Sequence, residues 1–208
     1  MIIREGSKTA ADTFSTIGAD TFAMGEEMNR YILVILTVCA ALVDNAARAA
    51  DFLQDSAVQK EVLRLAIPAS LTPKGKQPLF MARAAGFQIY KEDGKMQWVF
   101  QEPQATLLDY RTGDEIGTHS KGPTGPIWID SKGSKVVGKP IGKEPAANTQ
   151  AVPWLLLEAM NENGGRFAKV THIQRVDTWA GQMPSVPPTK AGEAVKIPYQ
   201  ATYIFWGD

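Results

Sequence analysis

From residue 79 onward this sequence is a run of short alternating stretches separated by turns rich in glycine, proline and aspartate, and that rhythm limits the folds open to it. Side chains along a strand point to opposite faces, so alternation with period two marks half-buried strands. Leu79–Tyr90 ends with Phe87 and Ile89 on one face and Gln88 and Tyr90 on the other. Glu92-Asp93-Gly94-Lys95 reads as a hairpin turn, because Asp-Gly tolerates the positive φ angles of a tight primed turn. Met96–Phe100 returns, Ala105–Asp109 follows Pro103, and the Thr112–Asp114 turn leads into Glu115–His119. Pro126–Asp130 and Lys135–Gly138 flank a turn at Ser131–Ser134, and Val195–Phe205 is the last strand. Lys139–Val152 reads as a long loop in a stretch broken by Pro140, Pro145 and Pro153.

Trp154–Met160 fits either a short helix opened by Pro153 or a strand. The turn-like Asn161–Gly165 and the β-rich Phe167–Val176 after it favour a strand. Many short strands with Gly/Pro turns predict a mainly β fold, an antiparallel β-sandwich or barrel-like domain, and argue against a parallel α/β fold. Upstream of the strands, Val58, Val62 and Leu65 have helical spacing within Ser56–Ala66. Pro68 stops that helix, and Ser70–Pro78 reads as a loop.

The N-terminal quarter has a different character. Met28-Asn29-Arg30 precedes the apolar run Tyr31–Val43, which gives way to Asp44 and the small-residue stretch Ala46-Ala47-Arg48-Ala49-Ala50. A positive start, a short apolar core and a small-residue exit are the three parts of a secretory signal peptide. The run is shorter than the roughly 20 apolar residues that cross a bilayer. The expected organisation is a mis-assigned start or extended leader at 1–27 and a signal peptide at 28–50. A short helix and linker at 51–70 and a single β domain at 71–208 follow. The expected location is periplasmic or extracellular, with no stable membrane span after processing.

The single cysteine, Cys39, lies in the apolar run, so the segment from Asp51 onward has no disulfide, thiolate nucleophile or cysteine metal ligand. That segment has 18 basic and 16 acidic residues without a basic stripe, which gives no sign of nucleic-acid binding.

Seven stretches, in order, carry a resemblance: Gly86–Tyr90, Pro103–Leu108, His119 with Gly122-Pro123, Gly133–Gly138, Pro153–Leu157, Thr171–Val176 with Thr178, and Ile197–Tyr199. Together they resemble the exported bacterial and fungal proteins grouped as domain of unknown function 3455. The resemblance implies export and no known activity. Some fungal members carry a malate dehydrogenase label, but this sequence has no Gly-x-Gly-x-x-Gly after a strand and no βαβ pattern. It departs from the family in having no cysteine after Ile173-Gln174-Arg175, in placing His172 where an aromatic such as tyrosine is usual, and in extra residues at Gly122–Pro126 that displace Trp128.

His119 and His172 are the only histidines, with Asp130, Glu158 and Asp177 as candidate partners. Two histidines on separate segments are too few for a zinc or copper site, so neither a metal nor a cofactor is expected. No Gly-x-Ser-x-Gly elbow is present. On strand 170–176, Val170, His172, Gln174 and Val176 share one face, and Thr171, Ile173 and Arg175 share the other. If Arg175 is buried it needs a carboxylate or several carbonyls, and Asp109, Asp130 and Asp177 are the acids to examine. An arginine beside tryptophans can also clamp an anion. The candidate ligand-binding residues are therefore His119, Trp128, Asp130, Trp154, Gln174, Arg175 and Trp179. The favoured reading is a non-enzymatic binding or cell-envelope module for a carbohydrate or small polar ligand. The alternative is a secreted hydrolase or oxidoreductase built on His119, Asp130 and Arg175.

Overall fold

The computed structural model describes residues 33, 36, 40, 43, 44 and 56–208. The chain falls into two units, 1–53 and 54–208. The five described positions of the first are helical. Apart from them, the leader and signal-peptide expectations for 1–50 lie outside the described residues. Among the described residues no helix is long and apolar enough to cross a membrane.

In the second unit a helix at 56–64 precedes eight strands. They are β1 (Gln77–Glu92), β2 (Trp98–Asp109), β3 (Glu115–Lys121), β4 (Pro126–Asp130), β5 (Lys135–Glu144), β6 (Trp154–Asn161), β7 (His172–Ala180) and β8 (Ala194–Gly207). Each pairs antiparallel with the next, and β8 returns to β1, closing a barrel. The favoured strand at Trp154–Met160 is β6.

Register decides which side chains enter the barrel. Gly86 lies opposite Ala105 on β2 and Tyr199 on β8. Ala105 lies opposite His119, His119 opposite Trp128, and Trp128 opposite Val136. On the other side Leu155 pairs with Arg175, and Arg175 with Tyr203. Members of these rows form one buried cluster with Ala82, Ala84, Leu107, Leu157, Ile173 and Phe205. The end holding the β2–β3, β4–β5 and β6–β7 connections is filled by rings. Phe80 stacks on Phe205 at 4.4 Å, and Phe167, from the 3₁₀ turn Gly165–Phe167, packs 5.3 Å from Phe205. An eight-stranded barrel has room inside for its own side chains or for one small ligand.

The opposite face of β1, β7 and β8 is covered by the helix. Val58 with Val62 and Leu65, one helical stripe, packs on Met81, Val176, Ile204 and Trp206.

Three segments differ from expectation. Residues 139–144 are strand, not loop, because β5 runs through Pro140. β2 likewise runs unbroken through Pro103. Proline is tolerated where one side of a strand has no neighbour. The β4–β5 pairing spans Lys135–Val137, so Pro140 faces only Leu157 on β6, at a bulge. The β2–β3 pairing spans Ala105–Leu108, so Pro103 faces only Gln88 on β1. The third is Phe167–Val176, which becomes strand only at His172 because Gly165–Phe167 turns inward to seat Phe167.

Candidate functional site

The end of the barrel opposite the phenylalanine plug holds a cavity of about 530 Å³. This is the size range of small-molecule sites. Its walls are largely apolar, with Leu155, Leu157, Val152, Phe100 and Met183 among them. Among the described residues the ionisable groups in the wall are Lys121, Lys143, Arg175, His119, Tyr90 and Tyr203, and no aspartate or glutamate lines it.

Arg175 enters this space from β7 because it shares the inward face of Ile173. Its Nε and Nη2 both donate to the Pro153 carbonyl, at 3.1 and 2.8 Å. The expected pairing with Asp109, Asp130 or Asp177 is not found, and among the described residues no carboxylate forms an ion pair with Arg175. The reason is placement. Asp109 and Asp130 end their strands at the plugged end, and Asp177 sits exposed at a bulge in β7.

Tyr199 and Tyr203 recur at period two with Ala201 and Phe205 on the inward face of β8. Their hydroxyls lie 2.7 Å apart. Burial raises the Tyr203 phenol well above its ordinary range, with Tyr199 adding to the rise and the Arg175 charge opposing it. The Tyr199 phenol is raised by burial, again against Arg175. Tyr90, raised by burial, donates to the Gly181 carbonyl at 2.7 Å.

His119 stacks on Trp128 with centroids 4.4 Å apart and meets the edge of Tyr203 at 5.1 Å. Its Nδ1 lies 3.0 Å from the Ile127 carbonyl. A carbonyl only accepts, so Nδ1 carries the hydrogen and Nε2 holds the lone pair. Burial pushes the imidazole down to about 3, the Ile127 carbonyl opposes the fall, and the Arg175 charge adds to it. Two further wall groups, Gln88 Nε2 and Trp128 Nε1, are buried with no hydrogen-bond partner among the described residues.

Residues 73–207 match the family model described as "Protein of unknown function (DUF3455)". The chain belongs to this family. The match spans all eight strands of the barrel. The chain matches no curated protein and no solved structure.

Of the seven candidate residues, the structure brings His119, Trp128 and Arg175 to one cavity in this family member. The other four have different surroundings. Asp130 Oδ1 accepts from the backbone N–H groups of Lys132 and Ser134 at 2.9 and 2.7 Å, organising the β4–β5 turn, and Oδ2 lies 3.8 Å from Arg166. Gln174 faces outward, fully buried, donating to the Leu71 carbonyl at 2.6 Å and accepting from Trp206 Nε1 at 2.8 Å. Trp154 packs against the outer cluster beneath the helix, and Trp179 is 54% exposed outside the cavity. His172 shares the outward face of Gln174, and its Nδ1 lies 3.1 Å from Thr171 Oγ1. Sequence reasoning passed over Gln88, Tyr90, Tyr199, Tyr203, Lys121 and Lys143. The Tyr199/Tyr203 alternation beside Phe205 is the signal that pointed inward. A second cavity, about 420 Å³, lies beside the helix, where Lys60, Arg64 and Arg83 are interspersed with Glu61 and Asp109.

Proposed function

We propose that this chain is an exported small-molecule-binding barrel that takes a polar ligand with an apolar body into the open end between Arg175, His119, Gln88 and Tyr203. The observation that supports it is the convergence of these groups, from four strands, into one apolar-walled cavity of about 530 Å³. Export rests on the signal-like segment 28–50.

The carbohydrate version has less support. A sugar platform needs an open aromatic face. Trp128 is 1% exposed with His119 against it, and Trp179, which is open, does not line the cavity. The hydrolase or oxidoreductase version asks His119, Asp130 and Arg175 to act together. His119 Nδ1 is on a backbone carbonyl and Asp130 is at the plugged end, so no carboxylate orients the imidazole as a base.

The test is a titration of the purified barrel with the neutral fluorophore N-phenyl-1-naphthylamine. Saturable binding is expected. Leu155→Trp, which fills the inner wall opposite Arg175, is expected to weaken it by about tenfold or more. Absence of saturable binding, or equal binding by the plugged variant, would remove this reading.

A further inference from the structure

Every strong polar preference in the cavity wall points the same way. The three charged side chains, Lys121, Lys143 and Arg175, are cations. The two buried atoms without partners, Gln88 Nε2 and Trp128 Nε1, are both N–H donors. A buried polar group without a partner is uncommon and costly, so a pair of orphan donors in one wall marks a shortage of acceptors.

Arg175 sharpens the point. Its hydrogen bonds go to neutral acceptors, the Pro153 carbonyl and the phenols of Tyr199 and Tyr203, which burial keeps protonated. A partly buried guanidinium is stabilised most by an opposite charge, and the described residues supply none here. The contrast with the helix-side cavity is direct, because there the basic residues stand among Glu61 and Asp109 and Arg64 pairs with Glu61 at 2.7 Å. A further acceptor in the wall, His119 Nε2, likewise belongs to an uncharged ring.

We infer that the ligand of this cavity is a carboxylate on an apolar body, with its anionic head received by Arg175 and its body lying against Leu155, Leu157 and Val152. A carboxylate supplies a full negative charge and two acceptor oxygens in a plane that matches a guanidinium. Lys121 and Lys143 are exposed at the rim and draw the anion in by long-range attraction. The inference rests on the small-molecule reading above and is separable from it.

The experiment is displacement of N-phenyl-1-naphthylamine by 2-naphthoate, 2-naphthalenesulfonate and 2-naphthamide, which share one ring body. The naphthoate is expected to displace the probe about tenfold or more better than the amide, the range for a hydrogen bond to a charged group. The sulfonate, tetrahedral at its head, is expected to fall between them. Arg175→Gln should erase the advantage of the acid, while Arg175→Lys keeps part of it. Circular dichroism and melting would establish that each variant is folded. If Arg175→Gln does not fold, the acid-to-amide ratio on the unaltered protein still decides the matter. Equal displacement by acid and amide, or an acid advantage unchanged in a folded Arg175→Gln, overturns the carboxylate inference and leaves the binding barrel standing. A sulfonate that displaces better than the naphthoate overturns the carboxylate assignment in favour of a tetrahedral oxyanion. Failure of the neutral probe to bind at all removes both.

Discussion

His119 has two aromatic neighbours and one carbonyl, and these contacts decide its protonation. The imidazole stays neutral down to about 3 in the folded barrel, whereas an unfolded histidine protonates near 6.5. Between those values the unfolded chain binds the extra proton, so folding becomes less favourable as pH falls. The contribution is fully present above about 6.5 and is lost progressively toward 3, with a slope approaching about 1.4 kcal/mol per pH unit. His119→Phe keeps a ring on Trp128 and removes the titration. Denaturant unfolding of the variant between pH 4 and 6.5 should be flatter than that of the parent by close to one proton. Identical pH dependence would mean that the ring charges inside the barrel. The sequence made His119, Trp128 and Arg175 visible because their residue types carry chemistry and the alternation of β7 put Arg175 with Ile173. It did not reveal which face was inward, since Gln174, one residue away, is even more buried and serves only to join Leu71 to Trp206. Asp130 was equally visible, but Asp130-Ser131-Lys132-Gly133 is an Asp-x-x-Gly turn sequence, and its carboxylate organises that turn.

Strands close into a barrel only if they coil, and here glycines permit it where two backbones touch. A Cβ on Gly86 would lie 2.0 Å from the Gln104 carbonyl oxygen and 2.6 Å from Ala105 Cα. Both are backbone atoms of β2, so no rotamer change relieves the clash. Gly117 approaches β4 in the same way, 2.1 Å from the Ile129 carbonyl oxygen. Gly86→Ala should therefore destabilise the barrel by about 1–3 kcal/mol or more, the range for overpacking, as read from the denaturant midpoint. Gly138→Ala meets Trp128 and Leu157 side chains at 2.8 and 2.9 Å instead, so it should cost less stability. An effect at Gly86 no larger than at Gly138 would contradict the tight β1–β2 crossing. Elements with a clean period and an Asp-Gly or Gly-rich turn, such as the β1–β2 and β4–β5 hairpins, were legible, but the β1–β2 connection is not a tight primed turn. It is the wider loop 93–97, with Gly94 and Met96 and not Asp93 at positive φ. The continuation of β5 through Pro140 was not. Whether a proline ends a strand depends on whether it has one neighbour or two, and that is a property of the closed sheet.

At the scale of the molecule, closure is what the short-range signals could not decide, because a sandwich and a barrel share the same alternation. The deciding contact is β1 with β8, paired from Gln77 opposite Gly207 to Lys91 opposite Ala194, which joins the first strand to the last and closes the sheet. This barrel and its covering helix belong to the unit 54–208, and the sole cysteine of the chain, Cys39, is outside it. A barrel held by its core and strand pairing, with no cysteine to oxidise, should melt at the same temperature with and without reductant. The signal-like segment 28–50 ends at Ala49-Ala50, just before that unit begins. The expected exported species therefore starts at or just after Ala49 or Ala50, keeps every strand and binds N-phenyl-1-naphthylamine as the intact chain does. Intact-mass measurement on the periplasmic or extracellular fraction gives the terminus, and a melt of that same species gives its stability. An exported protein that retains Tyr31–Val43 would refute the processing. A processed species that no longer melts cooperatively would show instead that the barrel depends on the segment removed.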